Sequence, residues 1–384
     1  MKTAICVSKN TLLPILFGFF VMGFVDVVGI AANYVKKDFV LSDTLANLLP
    51  MMVFFWFAVV SIPAGVMMSK IGKKNTVSLA MLITILAMLL PMCSYSFPIV
   101  LVAFALLGIG NTILQVTLNP MVAGLISGKA LASVLTLGQF LKAVSSFLGP
   151  LIAGAAAAWW GDWKLIFPVY ALVTLVSLLW LWGCVRESSP KVVHAASFSS
   201  AVSLFKDSYI LMLFLGILLI VGIDVGLNTT IPRLLMNRAG LSLDEAGLGT
   251  SLYFSARTIG TFAGTFLLVR VSSGKFLKVS MLAGIPVFIG LMFAHSLWIL
   301  GTMIVLMGLL CANVFSILFS YALQHKPEYD GEISALMIMG VSGGALIPLL
   351  MGVVSDQFGL VAGMSVLLLC LLYLVLVAYR TEKV

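Results

Sequence analysis

The sequence predicts an all-α membrane protein with twelve transmembrane helices arranged as two six-helix bundles. The chain of 384 residues is 61% hydrophobic and only 9% charged, and its mean hydropathy is +1.17. Apolar runs near the roughly 20 residues that cross a bilayer recur along its whole length. This composition excludes a soluble enzyme with a single membrane anchor.

The apolar runs follow one another in order along the chain. We predict spans at 11–34, 45–69, 75–95, 97–124, 131–159, 164–185, 208–235, 246–270, 276–294, 297–324, 332–354 and 359–379. The most polar internal segment separates the sixth run from the seventh. The predicted domains are therefore an N-terminal bundle over 1–185, a cytoplasmic linker over 186–207 and a C-terminal bundle over 208–384.

The distribution of basic residues predicts the orientation in the membrane. Fifteen Lys and Arg residues fall on one side of the predicted spans and five on the other, which places both termini in the cytoplasm by the positive-inside rule. The formal net charge of +8 then reflects topology, so we expect no nucleic-acid partner. The basic N-terminus leads into the first span without a cleavage site, which indicates an uncleaved first helix. We expect a bacterial plasma (inner) membrane protein that works as a monomer in the lipid bilayer.

The cysteines and histidines carry no sign of metal or redox chemistry. The five cysteines lie at or within apolar segments without a metal-ligand or redox spacing, so we expect small packing residues. The three histidines fall in or beside predicted loops. We predict no metal, no cofactor and no enzymatic activity.

Two carboxylates lie inside apolar runs at matching places in the two halves, Asp26 in the first span and Asp224 in the seventh. A charged group at membrane depth costs several kcal/mol unless it is paired or faces water, and such residues mark substrate or ion pathways. Weak internal repetition of this kind is typical of transporters whose binding site lies at midplane between the halves. The sequence thus favours transport, with Asp26 as the candidate proton-coupling and substrate-binding residue.

The fourth and fifth spans supply further polar candidates in the first half. Gln115 and Asn119 are four residues apart on one helix face, and their amides suit the hydroxyl groups of a substrate. Gln139 and Lys142 are three residues apart on the fifth span. A buried ammonium group needs a counter-ion, so we predict that Lys142 contacts Asp26 directly or through water. Interhelical hydrogen bonding by Gln115 is the alternative to substrate contact.

The second half offers a base as well as an acid. Arg257 lies within the eighth span, and its position predicts a structural or gating ion pair with Asp224. Asn228 lies four residues after Asp224 and is a candidate for substrate binding. Further substrate-binding candidates are a polar residue of the tenth span and two aromatic residues that can stack on a sugar ring: Asn313, Trp56 and Phe315. Only one or two of the additional aromatic candidates should line a site. These candidates are Phe54, Phe55, Tyr34, Tyr253, Phe319 and Tyr321.

Several segments together resemble one transporter family. "AGVMMSKIGKKN" between the second and third spans has the form of the loop motif of the major facilitator superfamily, with Ser69 where many members have aspartate. "GIGNTILQVTLNPMV" in the fourth span, "LTLGQFLKAVSSFLGPLIAG" in the fifth and "GVSGGALIPLLMGVVSD" in the eleventh resemble its fucose/glucose-galactose permease branch. The resemblance implies the major facilitator fold and sugar import.

The resemblance also assigns roles and shows two departures. It implies that Asp26 takes part in proton coupling and that Arg257 is the arginine of the branch's eighth-span "GR" element, with Ala256 in place of the glycine. Gln115 stands where these permeases usually carry a glutamate, and glutamine cannot titrate. Lys142 stands where an amide is more frequent.

We therefore predict a secondary active transporter that imports a hexose or deoxyhexose by alternating access, with proton symport. One alternative is proton-independent sugar uniport, because Gln115 replaces an acid. Another is efflux or uptake of an anionic metabolite or drug, which Lys142 and Arg257 would allow. A transport-inactive sensor is disfavoured because the longest polar segment is the central linker.

Overall fold

The computed structural model describes residues 9–41, 45, 48–185, 198–241 and 243–381. Within these residues the regular structure is helical, and twelve helices are long and apolar enough to cross a membrane. We number these spans 1 to 12. They are Asn10–Asp38, Leu48–Ile71, Lys73–Cys93, Phe97–Ala123, Ala130–Trp160, Trp163–Cys184, Ser208–Ala239, Leu248–Arg270, Ser273–Phe293, Leu297–His325, Pro327–Phe358 and Leu360–Thr381.

The twelve predicted spans are confirmed, with small differences at their ends. Span 11 differs most: it begins at Pro327, whereas the apolar pattern predicts a start at residue 332. The added residues 327–331 contain Glu328 and Asp330. Hydropathy alone cannot detect a helical turn made of polar residues, although a proline at the start of a helix is a common signal.

Three spans are interrupted where the sequence predicts continuous helices. Span 1 consists of α-helices Lys9–Met22 and Val28–Asp38 joined by a 3₁₀-helix over Gly23–Val27. Span 10 consists of helices Leu297–Cys311 and Val314–His325. Span 11 has a 3₁₀-helix, Gly340–Ser342, between the α-helices Asp330–Met339 and Gly343–Phe358. Interruptions at membrane depth persist only where neighbouring groups satisfy the freed backbone.

The chain forms two compact units, of which the first comprises residues 1–127, 138–204 and 326–339. It contains spans 1 to 4 and 6, most of span 5 and the first part of span 11. A Cβ atom at Gly65 of span 2 would lie 2.8 Å from Cβ of Ala335, and the Ser334 hydroxyl donates to the backbone oxygen of Val116. Small residues and a hydroxyl therefore bring the start of span 11 close to spans 2 and 4.

The second unit comprises residues 128–137, 205–325 and 340–384. It contains spans 7 to 10 and 12, the later part of span 11 and the first residues of span 5. The Ser133 hydroxyl donates to the backbone oxygen of Thr265 in span 8. A Cβ atom at Gly343 would lie 2.0 Å from the backbone oxygen of Leu218, so glycine is required where span 11 meets span 7.

The two units are not the two sequence halves, because residues 128–137 and 326–339 each pack with the other half. The division into domains 1–185 and 208–384 stays a prediction about how the bundles move. Of the predicted linker, residues 186–197 lie outside the described residues, and a short helix spans Phe198–Ser203.

Two of the four described cysteines, Cys311 and Cys370, are buried as packing residues. Cys93 is exposed and Cys184 is partly exposed, so the packing prediction is wrong for Cys93. Cys6 lies outside the described residues. Among the residues described, no three His, Cys, Asp or Glu side chains are grouped so that they could hold a metal ion.

Candidate substrate and proton site

The break in span 1 presses closely against span 5. A 3₁₀-helix replaces the α-helix over Gly23–Val27. A Cβ atom at Gly23 would lie 2.4 Å from the backbone oxygen of Lys142 and 2.7 Å from Cβ of Ser145. Only glycine permits this approach, and it brings the segment that carries Asp26 against span 5.

The Asp26 carboxylate is exposed and receives a hydrogen bond from the Ser146 hydroxyl. The same hydroxyl oxygen lies 2.9 Å from the backbone oxygen of Lys142. The described residues include no ion pair between Asp26 and Lys142 within 4.0 Å. The direct form of the predicted Asp26–Lys142 contact is therefore absent among the described residues, and a contact through water stays a prediction.

A hydrogen-bonded row of amides follows the buried face of span 4. Asn111 Nδ2 donates to the backbone oxygen of Met22 at 2.6 Å, and Gln115 Nε2 donates to Asn111 Oδ1 at 2.7 Å. Asn119 Nδ2 donates to the backbone oxygen of Gln115 at 2.7 Å. All three side chains are buried. Gln115 and Asn119 share a face as predicted, and the row connects that face to the break in span 1.

Trp56 of span 2 packs over the same stretch of span 4. A Cβ atom at Gly108 would lie 3.2 Å from the Trp56 ring and 2.7 Å from the backbone oxygen of Val53. Gly108 precedes Asn111 by three residues, so the indole lies next to the amide row. The Trp56 Nε1 atom is buried and has no hydrogen-bond partner in the part of the chain that the structure describes. An unpaired buried donor favours binding of an acceptor such as a hydroxyl oxygen.

Gln139 and Lys142 of span 5 are both partly exposed. Neither side chain has a hydrogen-bond or ion-pair partner among the described residues. They follow the same helix face as Ser146, at intervals of three and four residues. This face presents an amide, an ammonium and a hydroxyl group, of which the hydroxyl contacts Asp26.

Asp224 in the second unit is buried, and each of its carboxylate oxygens has a polar partner. Arg257 Nη2 lies 2.7 Å from Asp224 Oδ2, and the Tyr253 hydroxyl donates to Asp224 Oδ1 at 2.6 Å. The Tyr253 side chain is fully buried, so it is a partner of this acid and no stacking face. The predicted Asp224–Arg257 pair is present as a contact, and its gating role stays a prediction.

The remaining candidates of the second unit occupy different environments. Asn313 lies at the break in span 10, is buried, and donates from Nδ2 to the backbone oxygen of Gly260 at 3.1 Å. Phe315 is 9% exposed and packs 5.5 Å from the ring of Phe319. Asn228 is partly exposed. Asn313 and Phe315 thus serve packing contacts in this structure, and their substrate contact stays a prediction.

Another aromatic candidate, Tyr34, belongs to a cluster at the end of span 1. The Tyr95 hydroxyl and the Trp163 Nε1 atom donate to Asp38 Oδ2 at 2.7 Å and 3.0 Å. Tyr34 stacks on the Trp163 ring at 4.9 Å. Burial raises the pKa of Tyr95, and its hydrogen bond to Asp38 raises it further. Tyr34 is therefore occupied as a packing partner.

The sequence gives weaker signals for two residues that the structure brings into the site. Asn111 precedes Gln115 by four residues, so helical spacing places it on the same face. Ser146 follows Lys142 by four residues on the face of Gln139. Each of these residues lies one helical turn beyond a polar face that the sequence predicts. The apolar pattern does not predict the break in the span 1 backbone that both residues contact.

The chain is similar to sugar transporters along nearly its full length. The model of the Major Facilitator Superfamily matches residues 15–348. A glucose/galactose transporter of Brucella abortus biovar 1 (strain 9-941) is 24% identical over 376 residues, which cover 93% of this chain and 90% of that protein.

Two crystal structures have the same fold. FucP in the outward conformation gives a TM-score of 0.85 at 19% identity, covering 97% of this chain and 98% of that chain. The Escherichia coli fucose:proton symporter FucP gives a TM-score of 0.83 at 17% identity, covering 96% and 98%. Since the family model matches well over half of the residues, the chain belongs to the Major Facilitator Superfamily and is a multi-pass membrane protein with its twelve-helix fold.

Proposed function

We propose that this protein imports a hexose or deoxyhexose across the bacterial plasma membrane by alternating access, coupled to proton entry through Asp26. The observation that carries the proposal is the exposed Asp26 carboxylate on the broken part of span 1, beside the buried amide row of span 4. Broken helices at membrane depth are a general device for placing polar groups where a substrate binds.

Sugar as the substrate is supported by the chemistry around this break. The Trp56 Nε1 donor lacks a partner among the described residues, and the Gln139 amide is partly exposed. Indole rings and amides are suited to the apolar faces and the hydroxyl groups of a sugar. The relatives named for glucose, galactose and fucose transport agree with this substrate class.

Proton coupling is supported by Asp26 alone. Its carboxylate is exposed and has one hydroxyl partner, so protonation breaks no ion pair with a described residue. Intramembrane carboxylates of this kind take part in proton relays. Gln115 cannot exchange a proton, so Asp26 would carry the coupling without a second acid on span 4.

The topology that we propose has both termini in the cytoplasm, because that side of the predicted spans has three times as many Lys and Arg residues as the other side. We also propose that one chain is sufficient for transport. Protease digestion of a C-terminal tag in sealed right-side-out and inverted vesicles tests the orientation. Cleavage is expected only in inverted vesicles.

The function is tested by uptake of labelled glucose, galactose or fucose into liposomes that contain the purified protein. Uptake is measured with and without a pH gradient across the liposome membrane. Proton symport predicts accumulation of one of these sugars above the equilibrium level when the exterior is acidic. Equilibration without accumulation would replace symport with uniport. Absence of uptake for all three sugars, with intact protein in the liposomes, would contradict the substrate class.

Lys142 favours a second candidate, transport of an anionic sugar. Its side chain is partly exposed and has no ion-pair partner within 4.0 Å in the described ranges. A carboxylate of the substrate would satisfy this ammonium group. Competition of glucose and glucuronate for binding separates the candidates: a preference for glucuronate that Lys142→Gln abolishes would support the anionic substrate.

A further inference from the structure

A hydrogen-bond chain of fixed direction joins span 4 to the break in span 1. It begins at the backbone oxygen of Met22, the last residue before the 3₁₀-helix, which accepts from Asn111 Nδ2 at 2.6 Å. A carbonyl oxygen can only accept, so Asn111 must present its NH₂ group there. Its Oδ1 then faces Gln115, whose Nε2 lies 2.7 Å away. The Met22 carbonyl thus determines the orientation of both amides.

This direction requires a hydrogen-bond donor at position 115. The Gln115 amide supplies that donor at every pH. A protonated carboxylic acid in its place would also donate to Asn111 Oδ1, whereas an ionised carboxylate has only acceptors. Asn111 and Gln115 are 2% and 4% exposed, so water cannot readily replace the missing donor.

We infer that Asn111 is a positioning residue for the Asp26 segment, and that Gln115 keeps it in place as a permanent equivalent of a protonated acid. Asn111 binds the carbonyl four residues before Asp26, at the point where the α-helix gives way to the 3₁₀-helix. Loss of the donor at position 115 frees the Asn111 amide to turn away from Met22. The broken segment then loses its side-chain hydrogen bond from span 4.

The inference predicts that the substitution Gln115→Glu creates a pH-sensitive switch. At low pH the new acid donates and the chain of hydrogen bonds is preserved. As the pH rises, ionisation places a carboxylate against Asn111 Oδ1 in a buried position, which is unfavourable. The folded state therefore favours the protonated form, so its stability is intact at low pH and falls as the pH rises.

Other charged groups near span 4 are the same in the wild type and in the variant. Lys73 pairs with Asp330, and the Ser200 hydroxyl donates to Glu332 at 3.2 Å. The charged groups of the spans packed against span 4 or the break are Asp26, Lys36, Lys37 and Asp38 of span 1, Lys70, Lys73 and Lys74 of spans 2 and 3, Lys142 of span 5, Lys164 of span 6, and Glu328, Asp330 and Glu332 in the first part of span 11. A matched control is required to separate their titration from that of the new acid.

Gln139→Glu is that control, because it makes the same change in the same unit at a side chain without a hydrogen-bond partner among the described residues. The thermal unfolding midpoint, Tm, of the wild type and both variants is measured in detergent from pH 5 to pH 8. For Gln115→Glu we expect Tm to fall by roughly 4 °C or more over this range relative to wild type. Gln139→Glu should follow the wild type. Equal slopes for the two variants would overturn the inference.

A second variant keeps the test decisive if Gln115→Glu does not fold. Gln115→Met has a similar length but no donor, so it should lower Tm at every pH without adding a pH slope. Asn111→Ala should lower Tm similarly, and the double variant should be little worse than either single one because both remove the same chain. Wild-type Tm in Gln115→Met would contradict the donor requirement.

The transport consequence rests on the proposed function, whereas the stability consequence does not. Sugar counterflow by Gln115→Glu, measured at equal pH on both sides and divided by the wild-type value at the same pH, should be at least tenfold lower at pH 8 than at pH 5. If Gln115→Glu shows the Tm slope but the wild type shows no counterflow, the proposed sugar substrate is rejected and the positioning role of Asn111 is retained. If the wild type shows counterflow and neither the counterflow nor the Tm of Gln115→Glu depends on pH, the positioning role alone is rejected.

Discussion

Asp26 and Asp224 occupy corresponding places in the sequence, yet their environments in the two units are opposite. Asp26 is exposed on a 3₁₀-helix and has one hydroxyl partner. Asp224 is 5% exposed, lies within the continuous helix Ser208–Ala239, and contacts both Arg257 and Tyr253. One acid is available to a ligand or a proton, and the other is already neutralised.

The difference shows that membrane depth alone does not identify a proton site. A carboxylate with a guanidinium partner stays ionised and stabilises the helices that it joins. A carboxylate with only a hydroxyl partner can gain a proton without leaving a cation unpaired. This contrast supports the proposed coupling role of Asp26 and the proposed structural role of Asp224.

The largest effect on stability is expected from Arg257→Ala. The substitution leaves the buried Asp224 carboxylate without its cation, and breaking a buried pair costs about 3 kcal/mol or more in free energy of unfolding. Thermal unfolding in detergent should show a Tm lower by roughly 6 °C or more. Arg257→Lys keeps the charge and should lose less. An unchanged Tm in Arg257→Ala would show that the pair is not structural.

Tyr253→Phe should have the next largest effect. It removes a 2.6 Å hydrogen bond to Asp224 while the ring keeps its packing. Hydrogen bonds to charged groups contribute about 2 kcal/mol, so Tm should fall by less than in Arg257→Ala. A loss larger than that of Arg257→Ala would mean that the phenol, and not the guanidinium, holds Asp224.

Ser146→Ala tests the other side of the comparison through activity. The Asp26 carboxylate loses its hydroxyl partner, and a hydrogen bond to a charged group contributes about 2 kcal/mol. The rate of proton-driven sugar uptake should therefore fall by about tenfold or more. Ser145→Ala is the matched control, because the Ser145 hydroxyl is buried without a partner among the described residues. The same loss in both variants would remove Ser146 from the site.

The smallest effect is expected from Tyr95→Phe, which concerns a third acid, Asp38. The hydroxyl of Tyr95 donates to Asp38 at 2.7 Å near the end of the span, and exposed contacts of this kind contribute about 1 kcal/mol or less. Because burial raises the pKa of Tyr95 above its unfolded value near 10, this contribution is constant below about pH 10. A Tm difference that varies between pH 5 and pH 8 would contradict it.

Most of the fold follows from the sequence because apolar length and basic asymmetry are local properties. The twelve spans could be predicted for this reason, and so could the shared face of Gln115 and Asn119. The Asp224–Arg257 contact could also be predicted, since a charge inside an apolar run needs a partner and these two charges lie in consecutive spans.

The site could be predicted only in part because it depends on where helices break and touch. Gly23 gives no sign in the sequence that a Cβ atom would collide with span 5. At that contact the backbone oxygen of Lys142 faces Gly23, and the Ser146 hydroxyl, not the lysine ammonium, contacts Asp26. Tyr253 is one of several aromatic candidates for a stacking face in the sequence, and its hydroxyl donates to a buried acid that lies 29 residues earlier.

The assignment of coupling to Asp26 is tested most directly by sugar-induced proton uptake. Vesicles containing wild type or Asp26→Asn are mixed with sugar in a weakly buffered medium, and the external pH is recorded together with sugar counterflow. Asparagine can still accept the Ser146 hydrogen bond but cannot carry a proton. We predict alkalinisation with the wild type and none with Asp26→Asn, while counterflow by the variant continues. Alkalinisation at the wild-type rate by Asp26→Asn would contradict the account.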